Sequence, residues 1–149
     1  GGTSAGAAIM SKVMITGDEL LNPDTTNAFV FVRKNNVKTV EGLGFLQNVI
    51  IDQHFLKRKR HNRLISLVLE HPKLLGVAID ESTAIIVNPD ETFDVIGEST
   101  VLVYDGSRAS NIKTDRNGNL SGHNLTMHLL ISGERYDLRS KKVVCTVRH

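Results

Sequence analysis

A serine, a histidine and a carboxylate stand at the ends of apolar or small-residue runs in this chain: Ser4, His54 and Glu81. A serine hydroxyl is inert at neutral pH unless a base takes its proton and a third group orients that base. Ser4 lies in a G-x-S-x-G pattern, Gly2-Thr3-Ser4-Ala5-Gly6. On a tight strand-to-helix turn such a serine has its hydroxyl thrust out of the fold, with small neighbours letting backbone come close. The amide of Ala5 would then lie at a helix N-terminus, where free N–H groups stabilise an oxyanion. Glycine, serine and alanine are common residues, so the pattern alone is weak evidence.

The partners must come from elsewhere. Of six histidines, His54 directly follows the buried-looking run Val49-Ile50-Ile51-Asp52, which places it on a sheet rim. His61, His71, His123, His128 and His149 lack that setting and read as surface or helix-face residues. A surface turn histidine is the bland alternative for His54. Glu81 occupies the equivalent place after Gly76-Val77-Ala78-Ile79-Asp80. Asp80, one residue earlier, would point the opposite way if the strand continues, and either acid could instead cap a turn. The order Ser, His, Glu differs from that of the α/β-hydrolases, whose acid precedes the histidine.

The run Arg58-Lys59-Arg60-His61-Asn62-Arg63 follows His54 at once. Such a cluster is usually a solvated helix start, but cations at a helix N-terminus oppose its dipole, which argues for a use of the charge. Guanidinium groups grip carboxylates in bidentate fashion, so Arg58, Arg60 and Arg63 are candidates for binding an acidic ligand. Nucleic acid is the rival partner, weakened by a formal net charge of only +2 and an aromatic content of 5%.

The elements that must position these groups read as an α/β sheet. Ser4 to about Met14 reads as a buried helix, and the region from Gly17 to about Val40 as loop with one apolar run, Ala28 to Val32. Breaks fall at Gly17-Asp18 and Asn22-Pro23-Asp24. Val49-Ile50-Ile51 is a strand buried on both faces. Leu64, Ile65, Leu67, Val68 and Leu69 have helical spacing between about Arg60 and His71, with Arg63, Ser66 and Glu70 on the polar side; Pro72 ends that helix. Gly76 to Ile79 is a second short strand ending at acids. Strands then follow at Ala84–Val87, Phe93–Ile96, Val101–Tyr104, Leu125–Ile131 and Tyr136–Leu138, and the polar stretch Ser107 to His123 reads as an exposed loop or flap. The organisation is helix-rich and parallel first, hairpin-rich second. Strands ending in polar residues before helices fit an open α/β sheet, whose sites lie at the carboxyl ends of strands. The late hairpins would extend that sheet or cover one edge.

With 149 residues, 40% of them hydrophobic and 23% charged, the chain suits one globular domain with a real core. No stretch approaches the ~20 apolar residues of a membrane helix. The one cysteine, Cys145, cannot form an internal disulfide and reads as a core residue; nothing demands an oxidising compartment.

The blocks GGTSAGAA at Gly1 to Ala8, DQHF followed by R-x-R-x-x-R-L at Asp52 to Leu64, and G-x-A-I-D-E-S-T-A at Gly76 to Ala84 resemble the cyanophycinase family of serine peptidases, in the family's order. The likeness extends more loosely to Leu138. It implies a flavodoxin-like or class I amidotransferase-like three-layer sandwich with added C-terminal β-hairpins. It also implies Ser4 as nucleophile, His54 as general base, Glu81 as the orienting acid, and Gln53, Arg58, Arg60 and Arg63 around the substrate. The implied substrate is cyanophycin, a polyaspartate with arginine on each side-chain carboxyl, cut by an exopeptidase to β-aspartyl-arginine dipeptides without metal or cofactor. The rival readings are an α-aspartyl dipeptidase and a non-catalytic binder of acidic peptides. A homodimer is expected by resemblance; a cytoplasmic location is also expected, which a leader upstream of Gly1 would change. The family's long N-terminal half, with the strand entering the elbow and a second oxyanion donor, has no counterpart here. The chain is therefore expected to be the C-terminal part, residues 1–149, of one longer peptidase domain.

Overall fold

The computed structural model describes residues 1–21 and 29–144. Cys145, the Asn22-Pro23-Asp24 break and Ala28 lie outside the described residues. In chain order the elements are α1 (Ala5–Ala8), β1 (Val13–Glu19), β2 (Val37–Glu41), β3 (Val49–Gln53), α2 (His61–Glu70), β4 (Leu75–Ile79), β5 (Thr83–Val87), β6 (Thr92–Gly97), β7 (Thr100–Asp105), β8 (Ser110–Thr114), β9 (Leu120–His123), β10 (Thr126–Ile131), β11 (Arg135–Asp137) and β12 (Lys142–Val144). The class is mixed α/β, with strands far outnumbering helices.

A central sheet has the order β10-β7-β4-β3, and β3 and β4 run parallel, from Val49 opposite Leu75 to Gln53 opposite Ile79. Both strands therefore end on the same rim. Parallel neighbours need a crossover, and α2 supplies it. Leu64, Leu67 and Val68 of α2 pack on Ile50, Ala78, Leu102 and Tyr104 on one face of this sheet. On the other face Val49, Ile51, Leu75, Val77, Val101 and Val103 meet Phe93, Val95 and Tyr136 of a second, antiparallel sheet ordered β12-β11-β6-β5. Alternate residues of β3 and β4 thus feed two cores, which is why the runs read as continuously apolar. Ala7 of α1, and Met10 just after the helix, pack against the second core.

Several expectations are corrected. The helix after Ser4 is one turn, Ala5–Ala8, rather than extending to Met14. The Ser11 hydroxyl donates toward the carbonyls of Ala8 and Val13, both at 2.8 Å, closing the turn, and β-branched Val13, Ile15 and Thr16 suit the strand that follows. The stretch from Gly17 to Val40 contains most of a β-ribbon: β1 pairs with β2 antiparallel, with an irregularity between Ile15 and Glu19 that absorbs Gly17 at φ 102°. The first half is accordingly not helix-rich. The polar stretch Ser107 to His123 is exposed as expected, but it forms a β8–β9 hairpin. In α2, Arg63 and Ser66 are buried rather than solvated, at 3% and 1% exposure.

Candidate active site

The elbow is built by backbone constraint. Ser4 has φ 53° and ψ −121°, a conformation an L-residue holds only where its surroundings impose it, at a cost of roughly 1–3 kcal/mol. The turn is closed by the Gly6 N–H donating to the Thr3 carbonyl at 2.8 Å. Gly2 must lack a side chain, because a Cβ there would stand 2.0 Å from the Gly6 carbonyl oxygen. The strain pushes the Ser4 hydroxyl outward and leaves the Ala5 amide at the start of α1, where no intrahelical carbonyl exists for it.

His54 and Glu81 reach that hydroxyl from the rim where β3 and β4 end. Ser4 Oγ lies 3.0 Å from His54 Nε2, and His54 Nδ1 lies 3.1 Å from Glu81 Oε1. The Glu81 carboxylate can only accept, so Nδ1 carries the proton in the neutral ring and Nε2 is left to accept from the serine. The arrangement can take a proton from a serine hydroxyl and hold the resulting imidazolium beside an anion. A cavity of about 580 Å³ opens in front of it, with Ser4, Gln53, His54 and Glu81 as polar wall and Met10, Phe45, Leu46 and Ile79 as apolar wall. β4 ends at Ile79, so strand alternation does not set the direction of Asp80; its carboxylate caps the turn after His54, accepting from the Leu56 and Lys57 amides.

The profile of peptidase family S51 matches residues 1–96. The chain belongs to that family. Among similar proteins are cyanophycinases from Geminocystis herdmanii, 39% identical over 94% of this chain and 50% of the relative, and from Trichormus variabilis, 37% identical over 98% and 47%. A cyanophycinase from Synechococcus elongatus is 39% identical over 96% of this chain and 43% of its own length. The chain thus spans about half the length of the curated relatives it matches.

The basic run of this S51 chain divides into different environments. Arg58 is exposed on the turn after His54. Arg60 donates from Nη1 to the Gln53 carbonyl at 2.7 Å; burial, then the Arg63 charge, bring its pKa down to about 10 against the pull of Asp52, with Arg58 adding to the fall. Arg63 lies inside the fold, its Nε 2.7 Å from Asp52 Oδ2 and its second nitrogen on Oδ1. That guanidinium is committed to a buried carboxylate and does not line the cavity, whereas Gln53 does. The Gln53 Oε1 is buried and has no hydrogen-bond partner among the described residues. His61 bonds the Tyr104 hydroxyl at 2.9 Å, a packing role. Among the described residues no cluster of metal-ligating side chains occurs, and no helix is long and apolar enough to cross a membrane.

Sequence reasoning missed Asp52 as the partner of Arg63, Ser99 as a partner of Asp80, and the steric demand at Gly97, where a Cβ would stand 2.2 Å from the Ser82 carbonyl oxygen. The acid inside an apolar run, Val49-Ile50-Ile51-Asp52, was the available signal for the first, since a buried carboxylate needs a cation. Nothing in the local sequence marks Ser99.

Proposed function

We propose that this chain carries the catalytic half of a serine peptidase that cuts cyanophycin to β-aspartyl-arginine dipeptides. The observation that carries the reading is the continuous Ser4–His54–Glu81 hydrogen-bond chain on a strained elbow; the identity to cyanophycinases supports the substrate. His54 Nε2 accepts the Ser4 proton as Oγ attacks the scissile carbonyl, and Glu81 holds the imidazolium that forms. The Ala5 N–H donates to the developing oxyanion. His54 then returns the proton to the departing amine, and a water, deprotonated by the same nitrogen, releases the acyl group and restores Ser4.

Substrate contacts divide by exposure. Arg58 meets ligand carboxylates from solvent, and Gln53 meets substrate from the cavity wall. Arg60 and Arg63 act indirectly, holding the Gln53 backbone: Asp52, fixed by Arg63, accepts the Gln53 N–H at 2.7 Å, while Arg60 takes its carbonyl. We further place residues 1–149 as the C-terminal part of one flavodoxin-like, class I amidotransferase-like domain. The β3–α2–β4 crossover, with helices on opposite faces of the sheet, supports that placement. A cytoplasmic homodimer completes the reading, and light scattering of the full-length protein tests the dimer.

The test uses the full-length polypeptide and purified cyanophycin. Ser4→Ala is expected to lower dipeptide release by about 10⁴-fold or more while the protein still sediments with the polymer. His54→Ala is expected to fall comparably. Wild-type turnover in His54→Ala would refute the triad, and polymer binding without dipeptide release by wild type would leave a non-catalytic binder of acidic peptides.

A further inference from the structure

His54 and Glu81 hang from two separate turns, each containing backbone that would relax if released. His54 has φ 49°, and Ser82, directly after Glu81, has φ 54°; non-glycine residues keep such values only where neighbours over-determine them. Asp80 touches both sides. Its Oδ1 accepts the Leu56 and Lys57 amides at 3.0 and 3.2 Å, tying down the turn that follows His54. Its Oδ2 accepts the Ser99 hydroxyl at 2.8 Å. Ser99 also donates its N–H to Thr83 Oγ1 at 2.9 Å, and the Thr83 hydroxyl donates to the Glu81 carbonyl at 3.1 Å. Glu98 adds an N–H on the Ser82 carbonyl at 2.9 Å, at the point where Gly97 leaves no room for a side chain. Burial raises the Asp80 carboxyl, but the Ser99 hydroxyl and the Lys57, Glu81 and Leu56 amides outweigh it and hold the group below its usual range. It is therefore an anion whenever the site works.

We propose that Asp80 is a positioning residue for the reaction: with Ser99 and the tight β6–β7 turn at Gly97, it sets the reach from Glu81 to His54. The inference rests on the peptidase reading above, and it concerns a carboxylate at the cavity wall whose two oxygens are both engaged within the protein. A hydrogen-bond bridge of this kind fixes angles as well as distance. Misplacement by about 1 Å can cost on the order of 100-fold in rate.

The test uses the full-length protein with a soluble β-aspartyl-arginine oligomer. Asp80→Ala is expected to lower kcat by about 10- to 100-fold with KM changed less than about twofold. It should also abolish the downfield proton resonance of His54 Nδ1–H bonded to Glu81. Asp80→Asn keeps an oxygen for the two amides and is expected to restore most of the rate and the resonance. Wild-type kcat in a folded Asp80→Ala protein, or Asp80→Asn as impaired as Asp80→Ala, overturns the proposal. Should Asp80→Ala fail to fold, Ser99→Ala decides: a several-fold fall in kcat at constant KM supports it, and wild-type kcat overturns it. If wild type releases no dipeptide, the peptidase reading fails. The His54 resonance still judges positioning, by its loss or persistence in Asp80→Ala, or in Ser99→Ala where that variant alone folds.

Discussion

At Gly2 an added Cβ would stand 2.0 Å from the Gly6 carbonyl oxygen, whereas at Gly6 it would meet nothing within 4 Å. Backbone oxygen cannot swing aside as a flexible side chain can, so Gly2→Ala must open the elbow itself. The expected result is loss of most activity, with Ser4 relaxing out of its φ 53° conformation. Gly6→Ala, at a site with room, is expected to fold and retain activity, and a parallel assay of the two variants checks the contrast. The pattern G-x-S-x-G was legible in the sequence, but it gave its two outer glycines equal weight. Only the path of the backbone shows that one is sterically required. The arginines of the basic run show the same gap. Composition marked Arg58, Arg60 and Arg63 as a charge cluster, but whether a guanidinium faces solvent or a buried carboxylate depends on Asp52, eleven residues before Arg63. Removing one partner of a buried pair typically costs ~3–5 kcal/mol, because the other charge is stranded. Arg63→Met is accordingly expected to lower stability by about that amount in urea unfolding, a loss that a pure substrate-binding role would not produce. Arg58→Met, at an exposed position, is expected to leave stability within ~0.5 kcal/mol and to act on KM.

The β3–α2–β4 unit is the element that carries the site, because it delivers His54 and Glu81 to one rim. Its fit is tightest where α2 crosses β4: a Cβ at Gly76 would lie 2.8 Å from Val68 Cγ2 and 3.0 Å from Leu64 Cδ1. Both contacts are side-chain atoms of fully buried residues, so Gly76→Ala must push the helix outward or force off-rotamer packing. Overpacking of this kind costs ~1–3 kcal/mol, and the displacement tilts the Glu81 end of β4. Chemical denaturation and activity are therefore expected to fall together. This unit was legible in the sequence for a physical reason. Strands buried on both faces are written as unbroken apolar runs, and α2 has one apolar stripe stopped by Pro72. The β1–β2 ribbon was not legible. Of β2 only Val37 is buried, and the β1 pairing is interrupted at Gly17, so neither strand shows a clean alternation. The β8 strand is exposed at every position, and its single apolar residue, Ile112, gives no alternation to read. Three strands of the second sheet, β5, β6 and β11, were legible, but β12 and the packing of that sheet against the first were not. Alternation marks which residues point inward, without saying what they meet.

Across the whole molecule the acids are held more tightly than their count implies. Asp80, Asp90, Asp94, Asp105, Asp115 and Asp137 all have carboxyl pKa values below the ordinary aspartate value. The largest influences differ. In Asp94 the Arg135 guanidinium donates to both oxygens, at 2.6 and 2.9 Å. In Asp105 burial opposes ionisation and is outweighed by the Ser107 amide and hydroxyl and by Lys141. A carboxyl with a depressed folded-state pKa binds its proton more readily in the unfolded chain. Its contribution to stability is therefore complete above the unfolded value of about 3.9 and is lost as pH falls through the lower folded value. Six such groups act in the same direction, and the formal net charge of +2 at pH 7 grows more positive over the same interval. The thermal midpoint is expected to hold between pH 5 and 7 and to fall steeply below about pH 4, the range in which aspartates titrate. Replacing Asp94 by Asn removes one of the six linked protons and is expected to make the acid limb shallower, at the cost of a lower plateau at neutral pH from the orphaned Arg135. Raising salt is expected to weaken the exposed Arg139–Glu91 pair while leaving most of the acid limb in place, since the largest influences on these aspartates are short hydrogen bonds and burial. A midpoint that tracked ionic strength, with no pH dependence between 5 and 2, would show instead that long-range charge sets the stability of the fold.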